Sequence, residues 1–332
     1  MKRNLITLMI FSSLLASLGT LAVFDLYHFA HQVGTKAPEI VLIKPGSSLK
    51  KITQQLYDQC LISSKQRFII LNRLLQSSTL LKAGEYEIEA AATPLQIITT
   101  LKSDQVYQRQ FSIPEGFTLR QIGARLEALC LCQNSEFKEL TTIPKHLKKG
   151  LAPDANLEGY LFPSTYNYNR QTSCREVLKL MLDTGQKQFK KLVHENPDNA
   201  LNKHQLITLA SLIQKEAGSN DEMPIISSVF HNRLQKNMRL ASDPTTIYAL
   251  GENFDGNLRR RDLRHPSPYN TYRHHGLPPG PICSPGNEAL KAALKPAQTD
   301  YLYFVSRGNG QHQFSRTLKE HNQAVRKYQL KQ

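Results

Sequence analysis

The spacing of apolar positions divides the chain into one unbroken run, two copies of a helical stripe, and a longer mixed region. No charge interrupts residues 5–24, and Asp25 closes the run. About 20 apolar residues in helical form cross a bilayer core, so this run is expected to span a membrane. Further on, Leu49, Ile52, Leu56 and Cys60 recur every three or four residues and lie on one helical face. Seventy residues on, the stripe returns as Leu119, Ile122, Leu126 and Cys130. Each copy follows a short strand (40–43 and 110–113) and a Pro/Gly turn, with Ser48 and Thr118 as N-caps. The first copy continues into a helix over 65–75, a strand around AGEYEIE, and a helix capped by Thr93 with Pro94 in its first position.

After the Pro/Gly-dense stretch PKHLKKGLAPDANLEGYLFPSTYNY, a long helix is expected from about 174 to 194. NKHQLITLASLIQKEAG opens a distal region with helices at MPIISSVFHNRL, SDPTTIYAL, NEALKAALKP and the C-terminus. Strands are expected at DYLYFVSRG and HQFSRT, and residues 265–286 read as a long loop. Helices with antiparallel strands give an α+β class. The expected parts are a tail 1–4, an anchor 5–24, a strand–helix–helix–strand region 38–108, a second repeat and junction 109–172, and a distal domain 173–332.

One position breaks the pattern. Glu216 projects near the direction of Leu209, between Leu212 and Ile213, where a core residue belongs, while Gln214 and Lys215 point away. A frayed helix end with Gly218 as its left-handed cap is the bland explanation. A carboxyl both half-buried and close to helix-terminal carbonyls has a raised pKa, which suits a general acid near neutral pH. The loop HPSPYNTYRHHGLPPGPICSPG adds conformationally fixed prolines, aromatic faces and Asn and Thr donors, a surface suited to N-acetylated sugar rings. His265, His274, His275 and Cys283 within it lack metal-ligand spacing, and no metal or cofactor is expected.

Charge and cysteines set the compartment. Lys2 and Arg3 precede the apolar run, so the N-terminus stays cytoplasmic and the remainder is exported. A cleaved signal peptide is the competing reading; the run is followed by no A-x-A site and by no cysteine to take a lipid. The net charge of +15 is scattered, and on an exported chain it favours anionic lipid and cell-wall carboxylates over nucleic acid. The five cysteines are too few and too dispersed for a disulfide framework; buried thiols are expected, with a single disulfide left open.

The strand–helix–helix–strand outline resembles a LysM-like module, more closely in the first copy than in the second; it could bind glycan or serve as a spacer. LASLIQKEAG, VFHNRLQKNMRLASDPTTIYALG, SPYNTYRHHGLPPGPICSPG, DYLYFVSRGNGQHQFSRTLKEHN and LEGYLFPSTY together resemble the endolytic murein transglycosylases of the MltG/YceG type, over nearly the whole chain. The resemblance implies cleavage of the β-1,4 bond between N-acetylmuramic acid and N-acetylglucosamine, leaving a 1,6-anhydro end, with Glu216 as the catalytic acid. The family's Glu-Lys-Glu-Thr tetrad reads Gln214-Lys215-Glu216-Ala217 here, and Ser284 stands where the family has Asn. Carried onto matching positions, the cleft residues are Asn232, Arg233, Asp243, Thr245, Tyr248, Tyr269, Asn270, Thr271 and Tyr272.

Asp221, Glu222, Asp243 and Glu158 are the candidates for a second carboxylate, Asp243 reading better as an N-cap and Glu158 as a structural anchor. The implied partners are peptidoglycan glycan strands and glycan-polymerising wall-synthesis proteins. The implied location is the inner (cytoplasmic) membrane, single-pass, with the catalytic domain in the periplasm. A non-catalytic, membrane-anchored glycan-binding scaffold is the alternative.

Overall fold

The helices begin where the side chains can cap them. In the computed structural model, the hydroxyls of Ser48, Ser64, Thr93, Thr118 and Ser173 each accept the N–H three residues on, starting α2 (Leu49–Asp58), α3 (Lys65–Leu74), α4 (Pro94–Lys102), α5 (Leu119–Ala128) and α7 (Cys174–Glu195). The structure describes residues 2–34, 37–77, 81–103, 105–142, 156–197 and 200–330. The described residues form two compact units: 1–109 with 167–171, and 110–166 with 172–332. The class is mixed α and β.

In the first unit, α1 (Lys2–His31) contains a stretch, Met9–His31, long and apolar enough to cross a membrane. The expected stop at Asp25 is overrun. Past it, Phe29 and Ala30 are buried in this unit's core, and Asp25 pairs with Arg67 at 2.8 Å. A single charge at a helix's exposed side does not end the helix; the next apolar turn finds a core and extends it.

Strands β1 (Glu39–Ile43) and β2 (Gly84–Ile88) pair antiparallel, Val41 opposite Tyr86 and Ile43 opposite Gly84. Val41, Ile43, Tyr86 and Ile88 alternate inward onto Ile52, Leu56, Phe68 and Leu101. Glu85, 3% exposed, is paired with both Arg109 and Arg170, which ties 167–171 into this unit.

β3 (Arg109–Ser112) pairs with β4 (Thr165–Tyr168); the second unit holds 110–112 of the one and 165–166 of the other, then α5, α6 (Asn134–Thr141) and α7. α8 (Lys203–Glu216), α9 (Met223–Gln235) and α11 (Asn287–Leu294) pack around Leu209, Leu212, Ile213, Ile226, Phe230 and Leu290. α10 (Asp243–Leu250), the antiparallel hairpin β5 (Tyr303–Ser306) and β6 (His312–Ser315), and α12 (Leu318–Tyr328) complete it.

Two expectations about cysteine are corrected. Cys60 and Cys130 do not extend the helical stripes. Each follows its helix in the left-handed conformation (φ 55°), where the next residue's N–H reaches back to Leu56 or Leu126, and both are exposed. Cys132 and Cys174 form a disulfide joining the approach to α6 with the start of α7. Of the expected buried thiols, Cys283 remains.

Candidate active site

α8 delivers Glu216 as its last residue. Leu209, Leu212 and Ile213 anchor the same face in the core, so the carboxyl leaves the helix along packed structure. Ala217 then turns extended (φ −70°, ψ 129°). Gly218 is not the left-handed cap the sequence suggests. It is small because the β5–β6 turn lies on it: a Cβ at 218 would sit 2.0 Å from the Gly310 carbonyl oxygen. That hairpin is pinned by Glu222, whose carboxylate accepts the His312 N–H and meets its Nδ1, both at 2.8 Å.

The Ser242 hydroxyl donates to Glu216 Oε1 at 2.6 Å. Burial pushes the Glu216 carboxyl up to about 7; the nearby Asp243 charge adds to this, while the Ser242 hydrogen bond and Arg233 oppose it. Asp243 is not an N-cap. It occupies the first helical turn of α10 and accepts the Tyr272 hydroxyl at 2.5 Å, while Ser242 stands in the cap position with its hydroxyl committed to Glu216. Burial, reinforced by Asp243, raises the Tyr272 phenol, which stays protonated.

Beneath lies a buried hydroxyl cluster. Ser242 N–H donates to Thr271 Oγ1 (3.0 Å), Thr245 Oγ1 donates to the Ser242 carbonyl (2.7 Å), and the two threonine hydroxyls meet at 2.8 Å. Asn270 donates to the carbonyls of Leu263 and His265 and accepts from Thr246 and from the Tyr272 N–H. Thr245, Asn270 and Thr271 are fully buried. Their bonds hold the proline-rich loop to the start of α10 and set where Ser242 and Tyr272 stand.

The other candidates scatter. Arg233, on α9, donates to the carbonyls of Leu302 (2.7 Å) and Leu240 (2.5 Å) and lies over the Tyr303 ring. It reaches Glu216 through its charge; burial lowers its own pKa. Asn232 turns elsewhere, donating to the carbonyls of Thr299 and Tyr301 beside a separate surface cavity. Tyr248 packs on Tyr269, ring centroids 5.0 Å apart, and its hydroxyl donates to Glu158 at 3.3 Å. Glu158 accepts the Leu119 N–H with both oxygens, at 2.9 and 3.1 Å, and burial lifts it to about 7 against that bond. Asp221 is exposed. Ser242 is the residue that sequence reasoning missed, although a serine directly before Asp-Pro was a visible cap signal.

The model of the YceG-like family matches residues 41–327, from the first unit's sheet to the end of α12. The chain belongs to the YceG-like family. It is similar to the endolytic murein transglycosylase of Bacillus subtilis (strain 168), 36% identical over 308 residues that cover 86% of this chain and 83% of that protein. The Streptococcus pneumoniae (serotype 2, strain D39) protein of the same name is 28% identical over 84% of this chain, which spans 57% of its length. Among solved structures, a putative yceG-like protein from Listeria monocytogenes superposes with a TM-score of 0.60 at 33% identity, over 87% of this chain and 100% of that one. The YceG-like match therefore takes in Glu216, Ser242, α10 and the proline-rich loop together.

Proposed function

We propose that this YceG-like chain is an endolytic lytic transglycosylase of peptidoglycan. The observation that carries the reading is the Glu216 carboxyl, held by Ser242 and raised to about 7. Such a group is substantially protonated at neutral pH and regains its proton readily. Glu216 donates that proton to the oxygen between N-acetylmuramic acid and N-acetylglucosamine, and the C1–O bond breaks. The carboxylate then accepts the proton of the muramoyl C6 hydroxyl, whose oxygen closes on C1. A 1,6-anhydro end results, no water is consumed, and Glu216 ends protonated as it began. The nucleophile is part of the substrate, so one carboxyl suffices where hydrolytic glycosidases need two. Tyr272 and Asp243 form the adjoining polar wall, and Arg233 offsets the charge that appears on Glu216.

In this reading α1 is a single-pass anchor in the inner membrane, and the remainder works in the periplasm beside the polymerases whose nascent strands it trims or terminates. The Cys132–Cys174 disulfide supports an oxidising compartment. The antiparallel β1–β2 pair enclosing α2 and α3 supports a LysM-like first unit with an affinity for glycan.

The test uses full-length protein in detergent with purified peptidoglycan, products read by mass spectrometry. Wild type should release anhydro-muramoyl ends and Glu216→Gln should not; equal yields from both would remove Glu216 from the mechanism.

A further inference from the structure

α10 presents two faces. Asp243, at its first turn, faces Tyr272 and the Glu216 charge. Pro244, Ile247 and Tyr248, spaced i, i+3, i+4, line a different hollow, a cavity of about 960 Å³ walled on its other sides by α5 and α6. Glu158, 5% exposed, forms its floor, and the exposed Lys215 stands at its edge.

We propose that this cavity is an extended subsite that seats further sugars of the glycan strand whose scissile bond lies at Glu216, with Lys215 facing the strand's carboxylates. The inference rests on the transglycosylase reading above and adds to it where the rest of the polymer lies.

Continuity is the first argument. Lys215 precedes Glu216, and Pro244 follows Asp243, so in both segments consecutive residues serve the acid and the cavity. Size is the second, because the volume falls within the range of built ligand sites, roughly 300–1,000 Å³. Wall chemistry is the third. Tyr248, partly exposed, supplies a flat face for a pyranose ring, and Asn156 and Gln121 supply amides for hydroxyls and acetamido groups.

Charge is the fourth. Lys215 and Lys138 contribute two cations, Arg120 is matched by Glu252 at 3.2 Å, and the buried Glu158 is held at about 7, so the lining does not repel an acidic polymer. Glu158 also gains a purpose. Its oxygens already position the Leu119 N–H and the Tyr248 hydroxyl, and a carboxyl set this way accepts a sugar hydroxyl at the cavity floor.

The test sorts glycan strands by length and measures kcat and KM with the full-length chain in detergent. Ala124 lies exposed on the α5 wall, and Ala124→Trp fills the cavity without approaching Glu216's hydrogen-bond partners. For wild type, kcat/KM should rise with strand length. Ala124→Trp should lose that rise through a KM about tenfold higher on long strands, the signature of lost uniform binding. Lys215→Met should weaken long strands in the same direction, and it carries the test if the tryptophan variant does not fold. If the folded variants keep long-strand KM within about twofold of wild type while anhydro ends still form, the subsite is refuted and the reaction stands. If wild type forms no anhydro ends, the transglycosylase reading itself fails.

Discussion

Replacing Glu216 by glutamine should leave the fold more stable than wild type at neutral and alkaline pH, while abolishing activity. The wild-type carboxyl titrates near 7 in the folded chain against an ordinary value of 4.5. For a raised carboxyl the sign is fixed. Below 4.5 both states are protonated and the residue adds no pH-dependent penalty. As pH rises towards 7 the unfolded chain gives up its proton first, and folded stability drains away until both states are ionised. At about 1.4 kcal/mol per pH unit, the shift amounts to about 3 kcal/mol, fully expressed above pH 7. Glutamine keeps an oxygen for the Ser242 hydroxyl but has no proton to lose. The stability difference between Glu216→Gln and wild type, from urea unfolding in detergent at pH 4 to 8, should therefore climb by about 3 kcal/mol across that window. Glu158 is common to both proteins and cancels. A difference flat with pH would refute the burial of this carboxyl and, with it, the acid's origin.

Other predictions follow from named contacts. The reaction rate should fall as pH rises through about 7, as Glu216 loses the proton it donates, which a kcat–pH profile reads. Breaking the disulfide with Cys132→Ser closes no loop of 42 residues and should destabilise the second unit by about 3–4 kcal/mol, measured by denaturation with and without reductant. Glu85→Ala strips the shared partner from Arg109 and Arg170, both of which reach solvent, and should cost the first unit about 1–2 kcal/mol by the same method. Gly218→Ala drives a methyl into the Gly310 carbonyl and should cost about 1–3 kcal/mol, with loss of hydrogen-exchange protection in the β5–β6 hairpin.

What the sequence disclosed was local. Cap residues, apolar periods and proline placement announced where α2, α4, α5 and α7 begin, because each of those signals acts within one helical turn. Glu216 was conspicuous for the same reason, a charge on an apolar stripe. The partners of the site were not legible. Ser242 reaches Glu216 across 26 residues, and the loop at Glu115–Phe117 docks on Ser284 through Gly116 and Phe117. Gln214, striking in sequence only for a missing charge, accepts the Gly286 N–H through its amide oxygen. Such contacts depend on how elements pack, and no spacing along the chain encodes them. The roles of Thr245, Asn270 and Thr271 shifted on the same account, since residue type alone does not distinguish a hydroxyl offered to a ligand from one spent on another hydroxyl.

The continuation of α1 past Asp25 bears on mechanics. On the reading that the apolar run lies in the bilayer, Phe29 and Ala30 begin the first unit's core less than two helical turns beyond Phe24, about 10 Å of rise. The span and the unit then share one rigid rod, with no slack segment between them. A flexible leash would let the unit sample a wide shell above the membrane. A rod instead fixes its height and couples its orientation to the tilt of the span, so that bilayer thickness becomes a variable that sets which layer of the wall this unit can touch.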